Sequence, residues 1–285
     1  ELVFAISSRV FVLDFGQLID SGTPAEMRAS KAVQAAYLGT VEDQMSNAKI
    51  EVTNLTLKYG DALAVDNVSF SVAKGECLTI LGANGAGKSS IGKSLAGLLP
   101  AASGTFSLDG DDVTNLEPFL LAQRGLAYLP EGRAIFPTLS VEENLMLAAR
   151  KLAKDPKAAV ERGYELFTRL GDRRKQQART LSGGEQQMLA VAKALITQPD
   201  VLVVDELSLG LAPLVINDIY TALAQARVEN NVTIVLIEQY IDRALSFADR
   251  ALLMVHGHEV WNGPADSNAD GIVRGFLSGT AEGAA

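Results

Sequence analysis

Residues 78–90 read LTILGANGAGKSS, and this stretch decides the fold. A short apolar run ends at Gly82, a glycine-rich loop follows, and the next residues have the apolar spacing of an amphipathic helix. The spacing G-x-x-x-x-G-K-[ST] is satisfied by Gly82, Gly87, Lys88 and Ser89, in the strand–loop–helix context that it requires. The stretch therefore predicts an α/β fold built around this loop.

A loop of this kind binds phosphate. Its glycines let backbone N–H groups turn inward, and the following helix N-terminus adds positive potential. Lys88 is then placed to reach the β- and γ-phosphates of a nucleotide, and the Ser89 hydroxyl to hold Mg²⁺. The sequence therefore predicts a nucleoside triphosphate site with a magnesium ion.

A second run, VLVVDE at residues 201–206, places four apolar residues before two carboxylates. As a buried parallel strand it would deliver Asp205 and Glu206 to the edge of the sheet where a doubly wound fold binds its ligand. One acid suits Mg²⁺ through water, and the other suits a base that orients an attacking water. A strand that ends in acidic residues often has only a structural role. The functional interpretation of this run therefore depends on the phosphate-binding loop upstream.

Between these runs lies TLSGGEQQMLAVAKALI, residues 180–196. Ser182 and Glu185 predict a capping box before an amphipathic helix, which is a purely structural interpretation. Capping alone does not require Gly183 and Gly184, and glycines beside a helix N-terminus favour a second anion site. Because the chain already has one phosphate-binding loop, a second one suits a nucleotide that is bound by another subunit.

In this order the motifs resemble those of ATP-binding cassette (ABC) ATPases, over about residues 48–280. The resemblance implies a P-loop NTPase of the α/β class, with a RecA-like core that carries the phosphate loop and VLVVDE. It also implies an antiparallel β subdomain at about 49–75 and 104–113, and a helical subdomain at about 134–182. Within the helical subdomain, Ser140 and Glu143 predict another capping box.

The resemblance also implies roles for individual residues, with ATP and Mg²⁺ as the bound groups. Tyr59 would stack on adenine, Asp205 would lie beside the magnesium ion, and Glu206 would be the catalytic base. The signature residues Ser182, Gly183 and Gly184 would close over ATP bound to a partner domain, and LSLGLAP at 207–213 resembles the D-loop. The phosphate-loop residues expected to contact ATP are Gly82, Asn84, Gly85, Ala86, Gly87, Lys88, Ser89 and Ser90.

Three positions depart from the general family pattern. Glu131 stands where most cassettes have the Q-loop glutamine, Gln239 stands at the usual switch histidine, and Glu185 ends the signature in place of glutamine. The first two departures, with their surrounding sequence, are similar to the second ATPase subunit of branched-chain amino acid importers, whose near relatives move urea or short amides.

These departures change the expected chemistry. Gln239 can donate a neutral hydrogen bond to the γ-phosphate but cannot carry the charge of an imidazolium. Glu131 can contact metal-bound water, although it adds negative charge beside phosphate. We expect Glu206, Gln239 and Glu131 to be the catalytic residues, and the metal to lie among Ser89, Asp205 and Glu131. We also expect slower hydrolysis here than at a histidine-bearing partner site.

The composition narrows the function further. The net charge of the 285 residues is −9, which argues against general nucleic-acid binding, and the basic segment at 172–179 is interpreted as a solvated helix face. No apolar run approaches the roughly 18 residues of a membrane span. Cys77, the only cysteine, is expected to be buried in a strand. His256 and His258 are expected to be exposed in a hairpin turn.

The first forty residues loosely repeat a segment near the C-terminus. SSRVFVLDFGQLIDSG aligns with ADRALLMVHGHEVWNG, which pairs Arg9 with Arg250 and Gly22 with Gly263. Residues 1–40 also resemble the C-terminal end of the companion ATPase subunit of the same importers. We expect a fragment of a preceding ATPase domain at 1–40, a linker at 41–48, the cassette at 49–280 and a disordered tail at 281–285. A fusion of both ATPases, or a joined reading frame, would account for this order.

The predicted function is ATP hydrolysis that powers import of branched-chain amino acids or related small polar solutes. The expected partners are a second ABC ATPase domain (the companion or a second copy), membrane permease subunits around Glu131 to Leu139 and, indirectly, a solute-binding protein. The expected location is the cytoplasmic face of the inner or plasma membrane. The alternatives are the ATPase of an exporter, a soluble ABC ATPase without a transport role, and a nucleotide-binding regulatory module without turnover, which the intact Glu206 disfavours.

Overall fold

The computed structural model describes residues 10–14, 17–23, 30, 48–132, 134–152, 154–208 and 210–277. The chain divides into two compact units, Glu1–Ala48 and Lys49–Ala285, and each is described by itself. The strands are β1 (Val10–Asp14), β2 (Gln17–Gly22), β3 (Ala48–Tyr59), β4 (Ala62–Ala73), β5 (Cys77–Gly82), β6 (Ala101–Leu108), β7 (Asp111–Asp112), β8 (Leu126–Leu129), β9 (Val201–Asp205), β10 (Thr233–Ile237), β11 (Arg250–Val255) and β12 (His258–Pro264). The helices are α1 (Lys88–Leu95), α2 (Pro118–Gln123), α3 (Val141–Leu152), α4 (Pro156–Leu166), α5 (Thr168–Gly171), α6 (Gly183–Leu195), α7 (Pro213–Asn230), α8 (Ile241–Phe247) and α9 (Ser267–Leu277), with a 3₁₀ turn at Ala178–Thr180.

A six-stranded sheet in the order β12-β11-β5-β10-β9-β8 forms the centre of the larger unit. Its neighbouring strands are parallel except for the pair β11 and β12. The strands β5, β9 and β10 are buried along their whole length, as expected for continuous apolar runs in a parallel sheet. Alternate residues of these strands enter two different cores, one on each face of the sheet.

The four-stranded sheet β4-β3-β6-β7 is the predicted antiparallel β subdomain. Strands β3 and β6 run antiparallel, and β6 pairs antiparallel with β7. The apolar side chains of β3 and β6 pack into the same core as α1 and one face of the central sheet. This packing holds the end of β3, and Tyr59 with it, beside the phosphate loop.

The helical subdomain lies between residues 134 and 182, as predicted. At the start of α3, Ser140 N–H donates to Glu143 at 2.7 Å, and Glu143 N–H donates to the Ser140 hydroxyl at 3.2 Å. The expected capping box is therefore confirmed. The apolar residues of α3, α4 and α6 pack together against the other face of the central sheet.

The prediction of a helix face at the basic segment 172–179 is wrong. Helix α5 ends at Gly171, and the chain turns until the 3₁₀ residues Ala178–Thr180. The turn is held by backbone hydrogen bonds outside a helix: Gln176 N–H donates to the Arg173 carbonyl oxygen at 2.8 Å, and Glu142 N–H donates to the Arg174 carbonyl oxygen at 3.0 Å. The Arg174 guanidinium adds two hydrogen bonds to Glu161, at 3.0 and 3.1 Å.

The smaller unit contains the antiparallel hairpin β1–β2, and its register matches that of β11–β12 residue for residue. Val10 pairs with Gly22, as Ala251 pairs with Gly263. Each hairpin has one register shift, between Val12 and Leu13 in the first and between Leu253 and Met254 in the second. The aligned positions in the two segments therefore share both the hairpin and its irregularity, which supports the internal repeat.

The other predicted boundaries stay predictions. The linker predicted at 41–48 overlaps β3, which already includes Ala48; residues 41–47 and the tail predicted at 281–285 lie outside the described residues. Within the described ranges, no helix is both long enough and apolar enough to cross a membrane.

Candidate functional site

The phosphate loop connects β5 to α1, as the motif requires. Gly87 adopts a left-handed φ of 98°, and a Cβ there would lie 2.5 Å from the Ala64 carbonyl oxygen. A Cβ on Gly82 would similarly meet the Met254 carbonyl oxygen at 2.4 Å. Both glycines are therefore required by close backbone packing as well as by conformation.

Lys88 is buried at the first position of α1, and its ammonium group lies inside the loop. Its Nζ donates to the carbonyl oxygens of Gly82 at 2.9 Å and Ala83 at 3.1 Å. Burial lowers the pKa of Lys88, although Glu206, Asp205 and Glu238 act in the opposite direction. The cation is thus held by loop carbonyls at the wall of a cavity.

Asp205 ends β9 and is 2% exposed. Its carboxylate accepts hydrogen bonds from the Ser89 hydroxyl at 2.9 Å and from the Tyr128 hydroxyl at 3.1 Å. Burial raises the pKa of Asp205, while these two hydrogen bonds lower it in part. Burial also raises the pKa of Tyr128, so the phenol remains a proton donor to Asp205.

Glu206 and Gln239 form a second hydrogen-bonded pair of side chains in the site. Glu206 has a left-handed φ of 48°, an uncommon conformation for a residue with a side chain. Its N–H donates to the Ile237 carbonyl oxygen at 2.9 Å, and its Oε1 accepts from Gln239 Nε2 at 2.8 Å. Strands β9 and β10 end side by side, so residues 33 positions apart meet directly.

Glu238 is a buried acid beside this pair that the sequence analysis did not identify. Its carboxylate accepts from Ser208 N–H at 3.1 Å, from the Ser208 hydroxyl at 2.8 Å and from Gln239 N–H at 3.2 Å. It thereby ties the segment after β9 to the segment after β10. Adjacency to Gln239 was the one available signal in the sequence.

Lys88, Ser89, Glu206 and Gln239 line a cavity of about 760 Å³. Tyr59 stands at its rim, 48% exposed, with its hydroxyl 3.4 Å from the Ser90 hydroxyl. The predicted residues that line the cavity are Tyr59, Asn84, Gly85, Gly87, Lys88, Ser89, Ser90, Glu131, Glu206 and Gln239. The lining also includes residues that were not predicted: Ala62, Leu63, Ala64 and His256. The predicted residues Gly82, Ala86 and Asp205 are buried and do not line it.

Both histidines are exposed at the β11–β12 turn, as expected, but they differ in position. His256 lines the cavity, because the next residue, Gly257, donates its N–H to the Ala86 carbonyl oxygen at 3.1 Å. His258 instead lies near Asp66, with 3.9 Å between Nδ1 and Oδ2. The spacing in the sequence does not show which of the two histidines lines the cavity. The packing of the turn on the phosphate loop decides this.

The signature residues Ser182, Gly183 and Gly184 lie at the N-terminus of α6 and do not line this cavity. Ser182 is the N-cap, and it forms the predicted capping box with Glu185. Within one chain, the phosphate loop and the signature therefore lie at different sites. Among the described residues there is no group of three or more His, Cys, Asp or Glu side chains that could hold a metal. The Ser89 hydroxyl and the Asp205 carboxylate, 2.9 Å apart, are two oxygen donors next to the phosphate loop.

Known proteins resemble this chain in sequence. A family model described as ABC transporter matches residues 65–208, and one described as branched-chain amino acid ATP-binding cassette transporter matches residues 19–43. The chain is similar to the high-affinity branched-chain amino acid transport ATP-binding protein BraG of Pseudomonas aeruginosa, with 43% identity over 71% of this chain and 87% of that protein. It is also similar to the probable branched-chain amino acid transport ATP-binding protein LivF of Archaeoglobus fulgidus, with 36% identity over 76% of this chain and 92% of that protein.

The fold is shared with solved structures. The ADP conformation of an ATP-binding cassette of an ABC transporter matches with a TM-score of 0.72 and 25% identity, over 82% of this chain and 98% of that one. The predicted α/β cassette fold is thereby confirmed.

Proposed function

The chain belongs to the ABC transporter family of ATP-binding proteins, and from this premise we propose that it hydrolyses ATP to drive uptake of branched-chain amino acids or related small polar solutes. The observation that carries the proposal is the convergence of Lys88, Ser89 and the Gln239–Glu206 pair at one cavity, with the buried Asp205 accepting a hydrogen bond from Ser89. The solute class is supported by the names of the relatives BraG and LivF.

In this proposal the phosphate loop binds ATP through its N–H groups and through Lys88. The positive end of α1 and the Lys88 ammonium compensate the charge of the phosphates. Tyr59, half exposed at the cavity rim, offers its ring to adenine. The remaining contacts come from the loop residues that line the cavity.

The residues present also fit a magnesium ion. Mg²⁺ prefers oxygen ligands, keeps several waters, and is usually bound by one or two protein groups together with substrate phosphates. The Ser89 hydroxyl and the Asp205 carboxylate, 2.9 Å apart, are such groups, and Glu131 on the cavity wall can contact a metal-bound water. When bound, the ion supplies charge neutralisation and alignment of the phosphates.

Glu206 is proposed as the general base. Its Oε1 is occupied by Gln239 Nε2, which fixes the orientation of the carboxylate and leaves Oε2 to accept a proton from water. Gln239 can in turn donate its second amide hydrogen to a phosphate oxygen. The pair thus positions the base next to the γ-phosphate without adding a positive charge.

A partner domain completes the site in this proposal. Because Ser182, Gly183 and Gly184 do not line the chain's own cavity, they are proposed to close over ATP on a second ATPase domain, and the partner's signature over this site. The surface from Glu131 to Leu139 is proposed to receive a permease subunit, which would hold the chain at the cytoplasmic face of the membrane. A solute-binding protein would act indirectly, through the permease.

We also propose that residues 1–40 are the C-terminal part of a preceding cassette. Two observations support this: β1–β2 repeats the register and the irregularity of β11–β12, and a branched-chain amino acid cassette model matches residues 19–43. The intact mass of the natural protein tests the proposal, since a fusion would carry a further cassette of similar size.

The experiment that tests the proposed function is the Glu206→Gln variant. ATP hydrolysis by the purified chain should fall by about 100-fold or more, because the base is lost, while ATP binding persists. With Mg-ATP, light scattering at several protein concentrations should then show whether two copies complete each other's sites. Glu229→Gln, an exposed carboxylate on α7, is the matched control. A wild-type chain that neither binds nor hydrolyses ATP would contradict the proposal.

A further inference from the structure

Glu185, the signature position that departs from the family pattern, is anchored at both carboxylate oxygens. Its Oε2 accepts from the Ser182 N–H at 2.9 Å and from the Ser182 hydroxyl at 2.8 Å. Its Oε1 accepts from Arg173 Nε at 2.7 Å. The Glu185 side chain is 13% exposed and the Arg173 side chain 44% exposed, so the pair lies at the edge of the signature.

The charge of Glu185 is permanent at neutral pH. Burial opposes that charge, but the hydrogen bonds from Ser182 and the Arg173 guanidinium outweigh it and hold the pKa of the carboxyl below its usual range.

This charge matters because of the proposed role of the signature. A helix N-terminus carries the equivalent of roughly half a positive charge, which favours a phosphate. The full negative charge of Glu185, in the first turn of α6, would reverse that preference if nothing compensated it. A glutamine at this position would not create the problem.

Among the described residues, Arg173 is the cationic side chain that forms an ion pair with Glu185. The neighbouring Arg174 is engaged elsewhere, since it donates to Glu161 and its guanidinium lies 4.1 Å from the centre of the Tyr164 ring. Arg179 donates to Gln177 at 3.0 Å. The turn that connects α5 to the signature thus brings one specific arginine to the carboxylate.

We propose that Arg173 is a positioning residue of the signature: it cancels the charge of Glu185 and fixes the carboxylate in place, so that Ser182, Gly183 and Gly184 can approach the triphosphate on a partner domain. This inference rests on the proposed function, in which the signature completes a partner's site. Arg173 acts through Glu185 and makes no contact with nucleotide itself.

The test compares Arg173→Ala with the double variant Arg173→Ala/Glu185→Gln in the full chain. Steady-state ATP hydrolysis of Arg173→Ala should have a kcat about tenfold lower than wild type, because an uncompensated carboxylate then faces an anion. Binding of ADP to the chain's own cavity should change by less than about twofold, since neither residue lines it. The double variant should recover kcat to within about twofold of Glu185→Gln alone, because the charge to be cancelled is gone.

Arg174→Ala is the matched control, since Arg174 is the next residue in the same turn and is exposed to the same extent, 45%. It loses an ion pair and a ring contact but should retain the wild-type kcat. If the double variant is as slow as Arg173→Ala, or if Arg173→Ala hydrolyses ATP like wild type, the positioning role is overturned. A wild-type chain without hydrolysis would overturn the proposed function, and this inference with it.

Discussion

Gln239 and Glu206 meet because β9 and β10 end at the same level of the sheet, where Ile237 pairs with Asp205. The 2.8 Å hydrogen bond between them orients the proposed base. An amide is always neutral, whereas an imidazole in the same place can be protonated and stabilise charge that develops on the γ-phosphate. The residue at this single position should therefore set the rate without changing the fold.

We predict that Gln239→His raises ATP turnover about three- to tenfold, because a histidine can both hold Glu206 and carry positive charge. Steady-state hydrolysis by the assembled ATPase pair measures the effect. Gln239→Ala is the control, and its turnover should fall, since it leaves Glu206 without its partner. Equal turnover of Gln239→His and wild type would refute the idea that Gln239 limits this site.

Glu238 gives a prediction for the pH dependence of stability. Burial raises the pKa of Glu238 above the unfolded value of 4.5, and the hydrogen bonds from Ser208 and Gln239 N–H offset this in part. The folded state therefore binds more protons than the unfolded state as pH rises from 4.5, and this group's contribution to the free energy of unfolding falls. Urea denaturation measures the free energy of unfolding. The difference in this free energy between wild type and Glu238→Gln should shrink as pH rises from 4.5.

Glu143 provides the control of opposite sign. Hydrogen bonds from Ser140 lower the pKa of this exposed carboxyl below 4.5, so its stabilising contribution is present above that pH and is lost as pH falls. The difference between wild type and Glu143→Gln should therefore grow as pH rises towards 4.5. Parallel curves for the two variants would show that burial does not dominate at Glu238.

At the scale of elements, α3 holds the segment that is proposed to face the permease. Asn144 on α3 is 0% exposed, and its Nδ2 donates to the carbonyl oxygens of Phe136 at 2.9 Å and Ser140 at 3.0 Å. Its Oδ1 accepts from Phe136 N–H at 2.8 Å. From the other side, Lys193 Nζ donates to the Ala134 carbonyl oxygen at 2.6 Å. Side chains of α3 and α6 thus both form hydrogen bonds to the irregular segment that contains Ala134 and Phe136.

We predict that Asn144→Ala lowers the free energy of unfolding by about 2–4 kcal/mol, because several backbone groups lose their partner inside the protein. Urea denaturation measures this loss. Glu142→Ala, an exposed change on the first turn of the same helix, should stay within about 0.5 kcal/mol of wild type. A small effect of Asn144→Ala would mean that the segment can rearrange and find water.

At the scale of the whole molecule, the two hydrophobic cores that the described residues form both lie in the larger unit. Their buried members run from Ile50 to Val273, and the two cores share the central sheet between them. The proposed function is not complete within one such unit, because the signature and the phosphate loop occupy different sites. We therefore expect one chain to fold by itself, and catalysis to require two chains.

Deletion of residues 1–47 should leave the thermal midpoint of the cassette within about 2 °C of the full chain, because each described core is formed by residues of the larger unit alone. Differential scanning calorimetry measures the midpoint. Deletion of residues 1–22, which removes only the hairpin, is a useful comparison. A fall of several degrees in either variant would show that the N-terminal unit contributes to the cassette's stability.

The sequence by itself determined the features that depend on near neighbours along the chain. The phosphate loop, the two capping boxes and the buried strand before Asp205 each follow from spacings of a few residues. These local patterns identify the fold class and the phosphate-loop part of the cavity lining, whereas Tyr59, Glu131 and Gln239 were predicted from the family resemblance.

Only the tertiary structure decided which distant residues meet. Tyr128 reaches Asp205 because β8 lies next to β9, and His256 reaches the cavity because the β11–β12 turn packs on the phosphate loop. Arg173 reaches Glu185 because the segment expected to be a helix face is a turn instead. The physical reason is common to all three contacts: they depend on strand order and packing, which no spacing along the chain expresses.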